Sequence, residues 1–222
     1  MSILRNPFFI IAVIVLLIFS AITLWFDYEP EQVQVAHDQD NAIVGVATTQ
    51  ALVDTVEALW NKPGGYLSND VLPPSVFMDN VPNWEFGVLQ QIRDIAKTLR
   101  NDYSRSQTQS VADKDLEIAE PKFNVDSEAW MFPSAEGEYS EGVKSVQKYL
   151  KRLQDTSQQD AQFYARSDNL NEWLSLVEKR LGSLSQRLSS SRAQDRVNTD
   201  LAGDANAQQS TQSNSIVVAK TS

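Results

Sequence analysis

Apolar and polar positions change their spacing several times along this chain, and each change marks an element. From Phe8 to Phe26 the apolar residues run on without a period: FFIIAVIVLLIFSAITLWF holds two polar residues, Ser20 and Thr23, and no charge. In a helix rising about 1.5 Å per residue this run reaches about 28 Å, close to the thickness of a bilayer's hydrocarbon core, so it predicts one membrane-spanning helix. Beyond it, apolar residues recur at steps of three and four, the helical signature. Over 41–61 the face is Val46, Leu52, Val53, Val56, Leu59 and Trp60 with Thr49 among them, and Lys62-Pro63-Gly64-Gly65 ends it. A second helix is predicted over about 83–104: Asn83 offers an N-cap, Glu85 suits the positive end of the helix dipole, and Val88, Leu89, Ile92, Ile95, Ala96, Leu99 and Tyr103 share a face. Tyr139, Val143, Val146, Leu150 and Leu153 mark a third. The fourth opens at Asn169, with Glu172 completing a capping box, and carries Leu170, Leu174, Val177, Leu181, Leu184 and Leu188 at steps of 4, 3, 4, 3 and 4.

That last pattern is a heptad seam of under three heptads, too short to require a coiled coil. The expectation is that it packs inside the chain's own bundle and leaves the soluble part monomeric; a self-associating or partner-binding seam is the alternative. Two segments lie between the helices. Residues 62–82 hold Pro63, Pro73, Pro74 and Pro82 with two glycines, so no continuous helix or central strand fits. Tyr66, Leu67, Val71, Leu72, Val76, Phe77 and Met78 nevertheless make the connector apolar, which predicts that it wraps the core. Trp130-Met131-Phe132, ahead of Pro133, is expected to plug a loop into the core, with a binding tooth as the alternative use of Trp130 and Phe132. No stretch alternates in the manner of a strand. The fold is therefore expected to be all-α: a stub 1–7, a transmembrane anchor 8–26, an acidic tether 27–40, an extracytoplasmic helical bundle 41–193 with a long proline-rich connector, and a disordered tail 194–222. In its last 26 residues 13 are Ser, Thr, Asn or Gln.

Charge adds direction. Of 19 Lys and Arg, 18 lie beyond the span against all 29 Asp and Glu, which leaves the outer part at about −11 and argues against nucleic acid and anionic headgroups as partners. Arg5 precedes the span, whereas Asp27, Glu29 and Glu31 follow it with no basic residue before Lys62; the positive-inside rule then keeps the N-terminus in the cytoplasm and sends the domain outward. A cleaved signal peptide would have a shorter apolar run and small residues at its cleavage site, but Phe19-Ser20-Ala21 places a bulky ring there. Within 113–141 nine acids face two lysines, while 142–196 holds ten basic residues against six acids. The two halves should attract, modestly, through exposed pairs.

Candidate chemistry is thin. The chain has no cysteine, which removes disulfides, thiolate metal sites and thiol nucleophiles together. Its one histidine, His37, falls in the tether without a carboxylate or serine context. Glu117 and Glu120 would share a helix face at i and i+3, the single arrangement that resembles an acid–base pair, but no calcium-loop consensus surrounds them. No catalytic, cofactor-binding or metal-ligating residue is assigned.

Gly64-Gly65-Tyr66-Leu67-Ser68-Asn69-Asp70, Leu72-Pro73-Pro74, Asp79-Asn80-Val81-Pro82-Asn83-Trp84-Glu85, Leu99-Arg100-Asn101 and the seam helix together resemble an uncharacterised Gram-negative bacterial family of single-span membrane-anchored proteins, a domain of unknown function. The resemblance covers most of the chain and brings no assigned chemistry. It implies that this copy is short at its C-terminal end. The expected role is a non-enzymatic interaction or scaffold protein of the cell envelope, anchored in the inner membrane with its domain in the periplasm and bound to another envelope protein. A sensory or regulatory module is the first alternative and an acid-based cell-wall enzyme the second.

Overall fold

The computed structural model describes residues 7–28, 30, 32–33, 43–106, 111–157 and 160–191, and every regular element among them is helical. In chain order these are α1 (Pro7–Phe26), α2 (Val46–Asn61), α3 (Asn80–Thr98), α4 (Lys114–Phe123), α5 (Ala135–Gln154) and α6 (Ser167–Ser191). A 3-10 turn, Ser75–Phe77, sits in the α2–α3 connector, and a π turn, Leu99–Tyr103, prolongs α3. His37, most of the tether and the 194–222 tail lie outside the described residues. The chain divides into two compact units, 1–173 and 174–222, with the boundary inside α6.

α1 is long and apolar enough to cross a membrane, and no residue of it is buried by the rest of the chain. Its two hydroxyls, which would be costly in hydrocarbon, are returned to the helix itself: Ser20 Oγ donates to the Leu16 carbonyl and Thr23 Oγ1 to that of Phe19, both at 2.9 Å.

In the first unit α2 to α5 form an up-and-down four-helix arrangement. Its core is Leu52, Val53, Val56 and Leu59 of α2, Leu89, Ile92 and Ala96 of α3, Leu116, Ala119 and Phe123 of α4, and Tyr139, Val143, Val146 and Tyr149 of α5. Contacts between helix ends fix the directions. At one end Lys62, just past α2, pairs with Glu85 near the start of α3, Tyr66 packs edge-on against Tyr139 at the start of α5 with ring centroids 5.8 Å apart, and the Tyr139 hydroxyl donates to the Val125 carbonyl just past α4. At the other, Arg152 near the end of α5 bonds Asp113 and Asp115 at the start of α4, and Tyr103 at the end of the π turn stacks on Phe163 at 4.7 Å. Gly142 lets α4 and α5 approach closely: a Cβ there would lie 2.9 Å from the Phe123 ring.

Four expectations are corrected. α3 opens at Asn80 with Asp79 as N-cap; Asn83 lies within the helix, its Nδ2 donating to the Asp79 carbonyl at 2.7 Å. The first turn tolerates Pro82 because its N–H groups have no intrahelical partner in any case. α4 was not expected as a core helix, since its acids mask an apolar face of only Leu116, Ala119 and Phe123; Asp113 caps it, accepting from Asp115 N–H at 3.0 Å. Glu85 does not serve the helix dipole at a surface but is fully buried. α6 begins at Ser167, so Asn169 is no cap: its Nδ2 donates to the carbonyls of Asp102 and Tyr164, both at 2.8 Å.

The attraction between the acidic middle and the basic back half takes a definite form. Arg152 Nη2 reaches both Asp113 oxygens at 2.7 and 2.8 Å and Asp115 Oδ2 at 2.6 Å. One guanidinium therefore bridges the two acids that open α4, a geometry for which its planar fork is suited.

Candidate functional site

The residues available for function divide into polar groups the fold has already engaged and apolar groups it leaves in solvent. Lys62 and Glu85 form the most buried polar pair, their charges 2.7 Å apart with both side chains fully buried. Lys62 Nζ also donates to the Gly65 carbonyl. The Glu85 carboxylate further accepts from Leu67 N–H at 2.9 Å, Ser68 N–H at 2.8 Å and Ser68 Oγ at 2.5 Å. Every strong partner of this ion pair is thus on the connector, and the pair acts as a clamp that fixes where the connector leaves α2. Sequence reasoning missed it, because one lysine and one glutamate 23 positions apart look like any two surface charges.

Glu117 and Glu120 do share a helix, but not a site. Glu117 is exposed, while Glu120 accepts from Arg100 Nη1 at 2.9 Å and from Asn124 Nδ2 at 2.7 Å. A surface cavity of about 310 Å³ lies between Pro30 and the α2 residues Asp54, Glu57, Ala58 and Asn61, reaching Lys62. Its acids are engaged as well, Asp54 by Gln50 at 2.7 Å and Glu57 by Gln147 of α5 at 2.9 Å. Among the described residues no group of three or more His, Asp and Glu side chains is placed to hold a metal ion.

The apolar surface behaves differently. The expected plug Trp130-Met131-Phe132 does not enter the core; all three are exposed, Phe132 to 98 %. The reason is a neck in the α4–α5 loop, where Ala135 N–H donates to the Ala129 carbonyl at 2.8 Å and extrudes residues 130–134 as a tip. The connector is split in the same way. Tyr66 and Leu67 are buried as predicted, but Val71, Leu72, Val76 and Phe77 are exposed, because Ser75 turns inward, its Oγ donating to the Leu72 carbonyl at 2.9 Å, and closes the 3-10 turn on itself. A hydrogen bond from Asn69 Nδ2 to the Ala129 carbonyl, 3.2 Å, ties the two loops together.

The seam on α6 is the other apolar surface. In the first unit Leu170 is 45 % exposed; in the second, Leu174, Leu181, Leu184 and Leu188 are all about half exposed or more, and Val177 is half-buried. Glu178, Arg180 and Arg187 flank the stripe.

No curated protein and no solved structure gives a match to the chain. Residues 2–222 match a bacterial family described as uncharacterized protein conserved in bacteria, DUF2333. With nearly its whole length matched, the chain belongs to this family of bacterial proteins of unknown function.

Proposed function

We propose that this is a single-span, membrane-anchored scaffold protein of the bacterial cell envelope, without catalytic activity, that assembles by pairing its α6 seams between copies. The observation that carries the reading is the exposed heptad stripe from Leu174 to Leu188. Burying a leucine side chain contributes about 1.5–3 kcal/mol, so a stripe left in water is a strong driving force toward a partner that covers it. A 4-3-4-3 seam is its own complement: in a parallel pair each position faces the same position of the second copy. Copies anchored by the same N-terminal span share orientation and height, and confinement to one membrane raises their effective concentration, which offsets the shortness of the seam. The alternative is a monomer whose seam packs inside its own bundle, for which a run of under three heptads is long enough.

The charge asymmetry about α1 supports an inner-membrane location with the N-terminus in the cytoplasm and the helical domain in the periplasm. External protease on spheroplasts should then digest the domain, and full protection would contradict this orientation. Assembly is tested by energy transfer between donor- and acceptor-labelled copies of the full chain in lipid vesicles across a hundredfold range of protein-to-lipid ratio. The expected result is a concentration-dependent dimer that Leu181→Asp converts to a folded monomer; a wild-type monomer throughout would overturn the reading.

A further inference from the structure

α1 ends against one particular end of the helical arrangement. Gly64 has φ +83°, and a Cβ there would lie 2.9 Å from Cγ of Phe26, the last residue of α1. That close contact places the end of the span beside the start of the α2–α3 connector. The same end carries the α4–α5 loop, because α4 runs toward it and α5 away from it, and because Asn69 bonds Ala129 across the two loops. These loops carry the exposed apolar tips: Leu72 and Phe77 at 71 % and 75 % exposure on one, Trp130, Met131 and Phe132 on the other. The opposite end of the unit is built instead from charged and capped elements, the Arg152–Asp113–Asp115 cluster among them.

We propose that these two tips insert into the headgroup region of the membrane that α1 crosses, so that the domain is seated on the bilayer rather than swinging from its tether. The inference rests on α1 being a membrane span. Aromatic and aliphatic side chains presented on a tied pair of loops suit the boundary between headgroups and acyl chains, where a tryptophan ring prefers to sit. The chemistry of the surface selects apolar insertion over charge attraction. Neither 63–82 nor 124–134 contains Lys or Arg, while Asp70, Asp79, Asp126 and Glu128 are acidic. Zwitterionic lipid is therefore the matching surface, and neither salt nor anionic lipid should be required.

The absence of cysteine allows a direct test. Single-cysteine variants of the full chain, Leu72→Cys, Phe132→Cys, Thr156→Cys and Leu24→Cys, are labelled with an environment-sensitive fluorophore and reconstituted into phosphatidylcholine vesicles doped with shallow spin-labelled lipid. Labels at 72 and 132 should be quenched several-fold more strongly than at 156, which lies at the opposite end, and unchanged quenching in 0.5 M salt, where the Debye length is about 4 Å, would fit apolar insertion. Quenching at 24 but not at 72 or 132 would overturn the proposal while leaving the span intact. Lack of quenching at 24 as well would remove the span itself. Because labels at exposed positions leave the fold intact, Phe77→Asp in the Phe132→Cys background gives a second arm: quenching at 132 should fall, and an unchanged value would contradict joint insertion.

Discussion

Replacing Glu85 by Gln tests whether the connector is held by charge buried in the core or merely lies over it. The substitution keeps shape and one acceptor oxygen but removes the charge that Lys62 Nζ faces at 2.7 Å, leaving a fully buried ammonium with neutral acceptors alone, the amide oxygen and the Gly65 carbonyl. Breaking a buried pair by removing one member costs about 3–5 kcal/mol, because the survivor's desolvation is no longer compensated. For a domain of this size each kcal/mol lowers Tm by about 2–4 °C, so the melt should fall by about 6–20 °C. Lys62→Met should cost less, since Glu85 would keep donors from Leu67 N–H, Ser68 N–H and Ser68 Oγ. Lys114→Gln is the control: its pair with Asp160 spans 3.6 Å with the lysine 70 % exposed, and such pairs contribute at most about 1 kcal/mol. The assay is circular dichroism at 222 nm during thermal unfolding of the full chain in a non-ionic detergent. If Glu85→Gln melts with Lys114→Gln, the clamp contributes nothing beyond an ordinary surface pair and the reasoning fails.

Two further substitutions probe packing and titration. Gly142→Ala would gain helix propensity, yet Gly142 is buried against α4 and the added methyl would press on the buried Phe123 ring 2.9 Å away; overpacking should win, with a net loss of about 1–3 kcal/mol in the same melts. At Glu136, burial and then the nearby Asp70 and Glu85 carboxylates raise the carboxyl's pKa above its ordinary 4.5. The native state therefore holds this proton more tightly than the unfolded chain, and stability falls as pH rises through the window that starts near 4.5 and ends at the raised native value. Glu136→Gln should raise Tm at pH 7 and leave it nearly unchanged at pH 4; a lower Tm at pH 7 would show that the charge is welcome there.

Helix faces were legible wherever an apolar period ran for three turns or more, as from Val46 to Trp60 and from Tyr139 to Leu153. α4 was hidden because its ten residues offer three core contacts and carry Asp115, Glu117 and Glu120 among them. The seam was visible residue by residue, but whether it is covered is a tertiary fact: the same 4-3-4-3 pattern serves an intramolecular core and an open stripe equally well. Trp130-Met131-Phe132 misled for a related reason. Hydrophobicity says that a segment prefers to leave water, while the Ala129–Ala135 neck decides in which direction it points. Glu85 was read as a helix-terminal anion because a sequence does not show which lone charge will meet Lys62 in the interior.

The claim that the seam joins copies is tested most directly by cross-linking in the native membrane, for which the cysteine-free chain is a clean background. Val177→Cys and Leu184→Cys occupy seam positions that face themselves in a parallel pair, whereas Lys179→Cys and Gln186→Cys lie on the outer face of the same helix. Under mild oxidation in isolated membranes, positions 177 and 184 should give disulfide-linked dimers in high yield and 179 and 186 little; equal yields at all four positions, or none at 177 and 184, would contradict it.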